Sequence, residues 1–350
     1  MATPSPARLP PSGEATDEPP WSEVVVELPL PPPALGAGAG SSLEPGDGLV
    51  AEAIQAAVRN YVHDPPRVVA GLHRPFVVGA KTLVMGVVNV TPDSFSDGGE
   101  FLEAEAAFSH GLRLVDEGAD LLDIGGESTR PGASDVSPEA EWARVGPVIA
   151  RLHGTVSVPI SVDTRHAEVA ARALDAGADL VNDVSGLRDA EMRRVVARSG
   201  APAIAMHMRG TPATMQANLA YRDVVGEVYD SLVDAARSAV SDGIAAEQLL
   251  IDPGLGFGKS AGQNLELLGR LAEFRSMGFP VVVGASRKSF LGWVVGKAPL
   301  GDRLEAGLAA AVLAARARAH VVRTHDVAPT VRVLALADAV VGRTRPAPPR

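Results

Sequence analysis

Short apolar runs pace the chain from Leu83 onward, at residues 83–88, 120–124, 158–162, 180–184, 202–207, 249–252, 280–284 and 320–325. Each has the length of a strand and is built mainly from Val, Leu, Ile and Ala, as strands buried on both faces of a parallel sheet are. Between the runs, apolar positions recur at three- and four-residue steps. This spacing predicts helices over Ala104–Glu117, Ala140–Leu152, Ala167–Ala176, Ala190–Ser199, Val224–Ser241, Gln263–Phe274, Arg303–Ala319 and Pro329–Val341. The tripeptide Gly-Ala-Asp recurs at one helix-to-strand junction, as Gly118-Ala119-Asp120 and Gly177-Ala178-Asp179, which marks a repeated β/α unit. Strands in strict alternation with helices predict an α/β fold, a (β/α)8 TIM barrel rather than an open doubly wound sheet. No G-x-G-x-x-G follows the first barrel strand, so the usual dinucleotide fingerprint is missing.

The pattern fails before residue 48. Residues 1–47 are rich in Pro, Gly, Ser and Ala, including Pro31-Pro32-Pro33 and Gly36-Ala37-Gly38-Ala39-Gly40. Such a segment cannot bury enough apolar surface to offset the entropy of ordering it, and a disordered extension is expected. Residues 48–75 read as a short amphipathic helix, Leu49–Tyr61, and a linker beginning at Pro65-Pro66. Phe76–Gly79 and the chain from Thr82 onward suggest a hairpin leading into the first barrel strand. The barrel is then expected over 76–342, with a short tail at 343–350.

Composition narrows the chemistry. Of 350 residues 46% are hydrophobic but only 4% aromatic, so the core must be aliphatic. There is no cysteine, which excludes disulfides, thiolate metal sites and a cysteine nucleophile. No apolar stretch approaches the roughly 20 residues of a membrane span. The first residues hold Pro, Ser and acids where a signal peptide needs an apolar core, so a cytoplasmic protein with no membrane contact is expected. A net charge of −10 argues against general nucleic-acid binding. An anionic substrate would need convergent Arg, Lys or a metal.

In a barrel the chemistry collects at the C-terminal ends of the strands. The first strand runs into Met85–Gly99, MGVVNVTPDSFSDGG, where Asn89 is followed by hydroxyls, carboxylates and the aromatic Phe95. Alone, that stretch is either an ordinary turn or a site. The next strands end in Asp123 with Glu127, Thr129 and Arg130; in Asp163; in Asn182 and Asp183; and in His207. The last three end in Asp252 with a glycine-spaced loop to Lys259, in Ser286-Arg287-Lys288-Ser289, and in Arg323 and His325. Each has a plain alternative: Asp163 and Asp183 could cap the following helices, Arg287 and Lys288 could be surface charge, and His325 a satisfied core histidine. Helix caps do not call for Arg130, Lys288, Arg323 and His325 together.

Sorted by chemistry, Arg130, Arg323 and His325, with Thr129 and Asn89, suit a phosphate or pyrophosphate, and Asn89 could also ligate Mg²⁺. Asp163, Asn182, Asp252 and Lys288 form an array of acceptors and donors that suits a flat heterocycle with a guanidine-like edge. There is no Ser-His-Asp spacing and no H-E-x-x-H, so neither a protein nucleophile nor a zinc site is expected.

The motifs Met85–Gly99, Asp123–Gly132 (DIGGESTRPG), Ser161–Thr164 (SVDT), Val181–Val184 (VNDV), Met206–Gly210 (MHMRG), Ile251–Lys259 (IDPGLGFGK), Gly284–Ser289 (GASRKS) and Val322–Val327 (VRTHDV) together resemble the dihydropteroate synthases, from about Phe76 to Gly342. The resemblance implies a pterin-binding barrel, often a homodimer. Its reaction joins 6-hydroxymethyl-7,8-dihydropterin pyrophosphate to p-aminobenzoate and releases pyrophosphate with Mg²⁺. It further implies that Asp163, Asn182, Asp252 and Lys288 hold the pterin, with Met206 packed on the ring and Arg323 against its face. Asn89, Thr129, Arg130 and His325 would bind pyrophosphate, and Asn89 the metal. Phe95, Asp97, Pro131, Phe257 and Ser289 would form the p-aminobenzoate pocket, which sulfonamides mimic. Asp97, Lys288, Arg323 and His325 would stand nearest the chemistry. Rival readings are a methyltetrahydrofolate-dependent corrinoid methyltransferase, which has no need of a pyrophosphate site, and a non-catalytic binding or regulatory barrel.

Overall fold

The computed structural model describes residues 55–59, 64–91, 99–129, 135–296, 299 and 303–343, without the side chains of 99–103. The expected disordered extension, most of the Leu49–Tyr61 helix and the tail beyond Arg343 lie outside the described residues; of that helix, 55–59 are helical.

A small antiparallel pair, β1 (Arg67–Val69) and β2 (Phe76–Val78), precedes the barrel. The barrel strands are β3 (Leu83–Asn89), β4 (Leu121–Gly125), β5 (Ile160–Asp163), β6 (Leu180–Asp183), β7 (Ala203–Met206), β8 (Leu249–Asp252), β9 (Val282–Gly284) and β10 (Val321–Thr324). They pair in parallel in the order β8-β7-β6-β5-β4-β3-β10-β9, and a parallel bridge from Ile251 to Val281 brings the two edges together. The alternating strands and helices expected from the sequence are borne out. The hairpin is placed differently: the partner of Phe76–Val78 is Arg67–Val69, upstream of it. The chain from Leu83 cannot pair there, because β3 lies between β10 and β4 in the barrel.

The helices are α1 (Gly99–Asp116), α2 (Pro138–His153), α3 (Ala167–Asp175), α4 (Ala190–Ser199), α5 (Val224–Ser241), α6 (Ala261–Gly269), α7 (Ser289–Val294), α8 (Leu304–Arg316) and α9 (Val327–Val340). Several starts are fixed by side-chain caps. Ser137, Asp189 and Asp223 accept from the first-turn amides of Ala140, Glu191 and Val225, and Ser260 with Gln263 forms a reciprocal capping box. The helix expected over Gln263–Phe274 divides at Arg270, after which Leu271–Met277 winds more tightly as a 3-10 segment.

Strand alternation sorts side chains into two sets. One face of the strands, with Val84, Leu122, Val162, Val181, Ala203, Ile251, Val283 and Val322, packs on the surrounding helices. The other fills the barrel: Leu83, Met85, Leu121, Leu180, Ile204, Leu250, Val282 and Val321 make one apolar cluster, and Val69, Phe76 and Val78 of the β1–β2 pair join it. Two residues further along the strands, on the same interior face, that lining changes chemistry. Leu121 is followed by Asp123, Leu180 by Asn182, Ile204 by Met206, Leu250 by Asp252, Val282 by Gly284 and Val321 by Arg323. The apolar layer is the floor of a polar mouth.

Candidate active site

The mouth is organised by Arg323. Its Nε donates to Asp123 Oδ2 at 2.6 Å and an NH2 proton goes to Asp163 Oδ2 at 2.7 Å. Asn182 donates its amide to the same Asp123 oxygen at 3.1 Å. One guanidinium from β10 therefore ties the ends of β4 and β5, and Asp123 ties in β6. The other Asp123 oxygen, Oδ1, is buried without a hydrogen-bond partner in the protein. An orphaned acceptor in a closed barrel is costly unless a donor meets it, and a ligand N–H would do so.

Burial raises the pKa of Asp163, as do the neighbouring charges of Asp123, Glu141 and Asp183, while Arg323 opposes the rise. The plain alternative for this residue fails, since it pairs with Arg323 and the N-cap of α3 is His166. Nor does Asp183 cap a helix: it accepts from Ser185 N, Ser185 Oγ and Leu187 N, shaping the loop after β6, and Asp189 caps α4.

Across the mouth, Asp252 ends β8 and accepts from Gly254 N at 2.7 Å. Burial raises its pKa, with Lys288 holding it down. Lys288 reaches in from the turn after β9 and donates to Leu255 O, with its Nζ 4.6 Å from the centre of the Phe257 ring. Burial lowers its pKa to about 8, against the pull of Asp252. It is not free surface charge. Arg287 is the exposed member of the pair and bonds Asp326 at 2.6 Å. Its φ of +61° is unusual for a non-glycine residue and turns the chain so that successive side chains diverge.

Met206 lies in a buried cluster with Val184, Met208 and Met215, against which Phe257 packs. His325 is half-buried, and its Nδ1 lies 3.1 Å from Ser286 Oγ, which also accepts from the His325 backbone N–H. Burial, with Arg323 and Arg287 nearby, lowers the His325 pKa to about 3, so the ring is neutral. Asn89 and Thr129 are half-buried at the ends of the neighbouring first two barrel strands, and Ser289 opens α7 at the surface. Phe95, Asp97, Arg130 and Pro131 lie outside the described residues.

The acceptor array expected from the sequence omits Asp123, although the residue is named at its strand end. The missed signal was parity: Asp123 stands two residues beyond an interior leucine, as Asn182 and Asp252 do. The expected set also omits Ser286, whose role appears only when β9 and β10 lie side by side.

Comparison with known proteins decides the family. The family described as pterin binding enzyme matches residues 85–325, and the dihydropteroate synthase of Synechocystis sp. is 45% identical over 266 residues, covering 75% of this chain and 91% of that protein. The chain belongs to the dihydropteroate synthase family. The Escherichia coli K12 dihydropteroate synthase is 43% identical over 258 residues, covering 74% of this chain and 91% of its own length. A probable bifunctional folylpolyglutamate synthase/dihydropteroate synthase of Haloferax volcanii is 48% identical over 73% of this chain, which spans only 30% of that longer protein. Among solved structures, Xanthomonas albilineans dihydropteroate synthase with 4-aminobenzoic acid superposes with a TM-score of 0.75 at 45% identity, covering 79% of this chain and 99% of that one. The dihydropteroate synthase resemblance, the barrel fold and the assignment as a transferase are borne out. The relatives named are dihydropteroate synthases, which counts against both rival readings.

Proposed function

We propose that this chain joins the pterin methylene of 6-hydroxymethyl-7,8-dihydropterin pyrophosphate to the amine of p-aminobenzoate, giving 7,8-dihydropteroate and pyrophosphate. The observation that supports it best is the polar ring at the barrel mouth, where Arg323 joins Asp123 and Asp163 while Asn182, Asp252 and Lys288 complete the circuit. Carboxylates accept in-plane N–H groups, and a pterin offers an amino group and ring N–H on one edge. Asp123, Asp163 and Asp252 are the acceptors, Asn182 can serve either way, and Lys288 donates to a ring acceptor. Met206 packs on the ring from the apolar side.

The reaction breaks the bond between the pterin methylene and the pyrophosphate oxygen and forms a bond to the amine nitrogen, which gives up a proton. The leaving group takes the electron pair of the broken bond. Arg323 and neutral His325 donate hydrogen bonds toward it, with Thr129 and Arg130 alongside. Positioning and charge stabilisation then carry the rate, and no protein nucleophile is required. Phe257 and Ser289, with Phe95, Asp97 and Pro131, take the p-aminobenzoate.

Among the described residues no group of three or more His, Asp or Glu side chains is placed to hold a metal ion. That suits Mg²⁺, which keeps several waters and is usually held by one or two protein oxygens plus substrate phosphates. Asn89, on the interior face of β3 beside side-chain-free Gly125, would be the protein ligand. The ion would neutralise charge on the departing pyrophosphate. No described helix is long and apolar enough to cross a membrane. Our reading has the enzyme work in the cytoplasm as a homodimer. Purified protein should release pyrophosphate only with the pterin pyrophosphate, p-aminobenzoate and Mg²⁺ together; no release with all three would refute the reading.

A further inference from the structure

One charged group near the mouth has no part in the reaction described above. Lys259 is 4% exposed, and its Nζ stands 2.9 Å from each of Gly254 O, Phe257 O and His207 Nδ1. An ammonium has three protons and no lone pair, so these three acceptors satisfy it, with His207 O a longer fourth at 3.4 Å. The imidazole must then be unprotonated at Nδ1, with its proton on Nε2. Burial and the adjacent Lys259 charge agree, lowering the His207 pKa to about 2.

The loop between Asp252 and Lys259 is wound around that ammonium. Gly254 and Gly256 have φ of +68° and +83°, and a Cβ at Gly254 would stand 1.9 Å from His207 O, so only glycine permits this path. The opposite side of the same loop faces the mouth. There Leu255 O accepts from Lys288, the Phe257 ring lies against Lys288 Nζ, and Gly254 N donates to Asp252. Carbonyls of one short segment thus point alternately to a buried lysine and to a lysine of the site.

We propose that Lys259 is a positioning residue of the pterin site, whose ammonium gathers the carbonyls of the loop after β8 and so sets where Lys288 and Phe257 stand. The inference rests on the pterin and p-aminobenzoate roles given above. Lys259 also acts through its charge. Asp252 is faced by Lys288, Lys259 and Arg323, all of which favour its carboxylate form, and burial opposes them. Lys259 in turn is faced by Asp252, Lys288 and Arg209, and burial lowers its own pKa. In the pH range where Lys259 is an ammonium, removing its charge raises the pKa of Asp252. A lysine that only filled space would leave that carboxylate alone.

The test uses the full chain with Lys259→Met, which removes donors and charge, and Lys259→Gln, which keeps an amide donor and removes the charge. Dissociation constants for 7,8-dihydropteroate are measured without turnover, and kcat/KM for the pterin substrate is measured across pH. Lys259→Met should weaken dihydropteroate binding by about tenfold or more and raise both KM values more than it lowers kcat. Lys259→Gln should recover part of the affinity, while both variants move the acid limb of kcat/KM to higher pH. Unchanged affinity and an unmoved acid limb in a folded variant would overturn the proposal. So would failure of both variants to fold, since Lys259 would then be a folding residue alone. Absence of turnover by the unsubstituted chain would instead refute the proposed reaction.

Discussion

Arg323 lies 2.7 Å from Asp163, so the strand-end guanidinium and the strand-end carboxylate proposed to meet the pterin are paired with each other in the free chain. Pairing fixes both side chains before a ligand arrives. It also makes Asp123 a pivot, because the same guanidinium and the Asn182 amide both bond its Oδ2.

Asp123→Asn should therefore weaken pterin binding although the residue was not read as a contact from sequence. The substitution keeps shape but removes the charge under Arg323. A cost of about 1–3 kcal/mol in 7,8-dihydropteroate affinity is expected. Calorimetry checks it, and an unchanged dissociation constant would take Asp123 out of the site.

The raised pKa of Asp163 links stability to pH. Burial comes first among its causes, and Asp123, Glu141 and Asp183 add to it. The folded chain holds this proton to a higher pH than the unfolded chain, whose aspartates release theirs near about pH 4. Between those values the folded state binds more protons, so this group's contribution to stability falls as pH rises. Denaturant midpoints measured across pH should show that slope in the unsubstituted chain and lose it in Asp163→Asn. Parallel curves would show an ordinary, ionised carboxylate.

His325 is expected to act as a neutral donor. With its pKa lowered to about 3 by burial, Arg323 and Arg287, its ring should show no titration by NMR between about pH 5 and 8. The folded chain binds fewer protons here than the unfolded one between its pKa of about 3 and the unfolded value of about 6.5, so this contribution rises with pH across that window and is level above it. Ser286→Ala removes the hydroxyl 3.1 Å from Nδ1 and should lower kcat/KM by the equivalent of about 0.5–1.5 kcal/mol without altering the melting temperature. A ring that titrates near its ordinary value would contradict the neutral role.

Much of this was legible in the sequence because two periodicities carry it. Apolar runs separated by helical spacing gave the barrel, and the polar residues near the end of those runs or just after them gave Asp163, Asn182, Asp252 and Arg323. What was not legible depends on neighbours distant in the chain. The bond of Arg323 to Asp123 spans 200 residues. Pairing of Phe76–Val78 with Arg67–Val69 could not be separated from a pairing with the chain after Thr82, since both flanks are apolar. Lys259 stands in the sequence only as part of a motif, because no spacing reveals that acceptors from two loops converge on its side chain.

The last prediction concerns the closed, N-terminal end of the barrel, opposite the mouth. Asp64 Oδ1 lies 2.8 Å from His320 Nε2 and Oδ2 lies 3.0 Å from Arg343 NH2. His320 Nδ1 accepts from Val281 N–H at 2.9 Å, so the ring proton sits on Nε2 and is donated to Asp64. Arg343, 3% exposed, also donates to Ala319 O and Arg318 O. One carboxylate thus joins the segment before β1, the start of β10 and the chain just past α9. Burial acts to raise its pKa, but the His320 hydrogen bond and the charges of Arg343 and Arg275 hold it well below the usual carboxylate range. The stabilisation this group supplies is therefore present above its unfolded value, near about pH 4, and is lost as pH falls below it. Asp64→Asn leaves buried guanidiniums facing an amide, and breaking a buried pair costs about 3–5 kcal/mol. Deleting residues 1–47, by contrast, should leave the midpoint nearly unchanged, since a segment of that composition makes few packed contacts. Urea unfolding of the three chains at neutral and acid pH decides it. The deletion should match the full chain, while Asp64→Asn should unfold at much lower urea at neutral pH, with the gap narrowing in acid. Equal midpoints for Asp64→Asn and the full chain would show that the carboxylate does not anchor this end of the barrel.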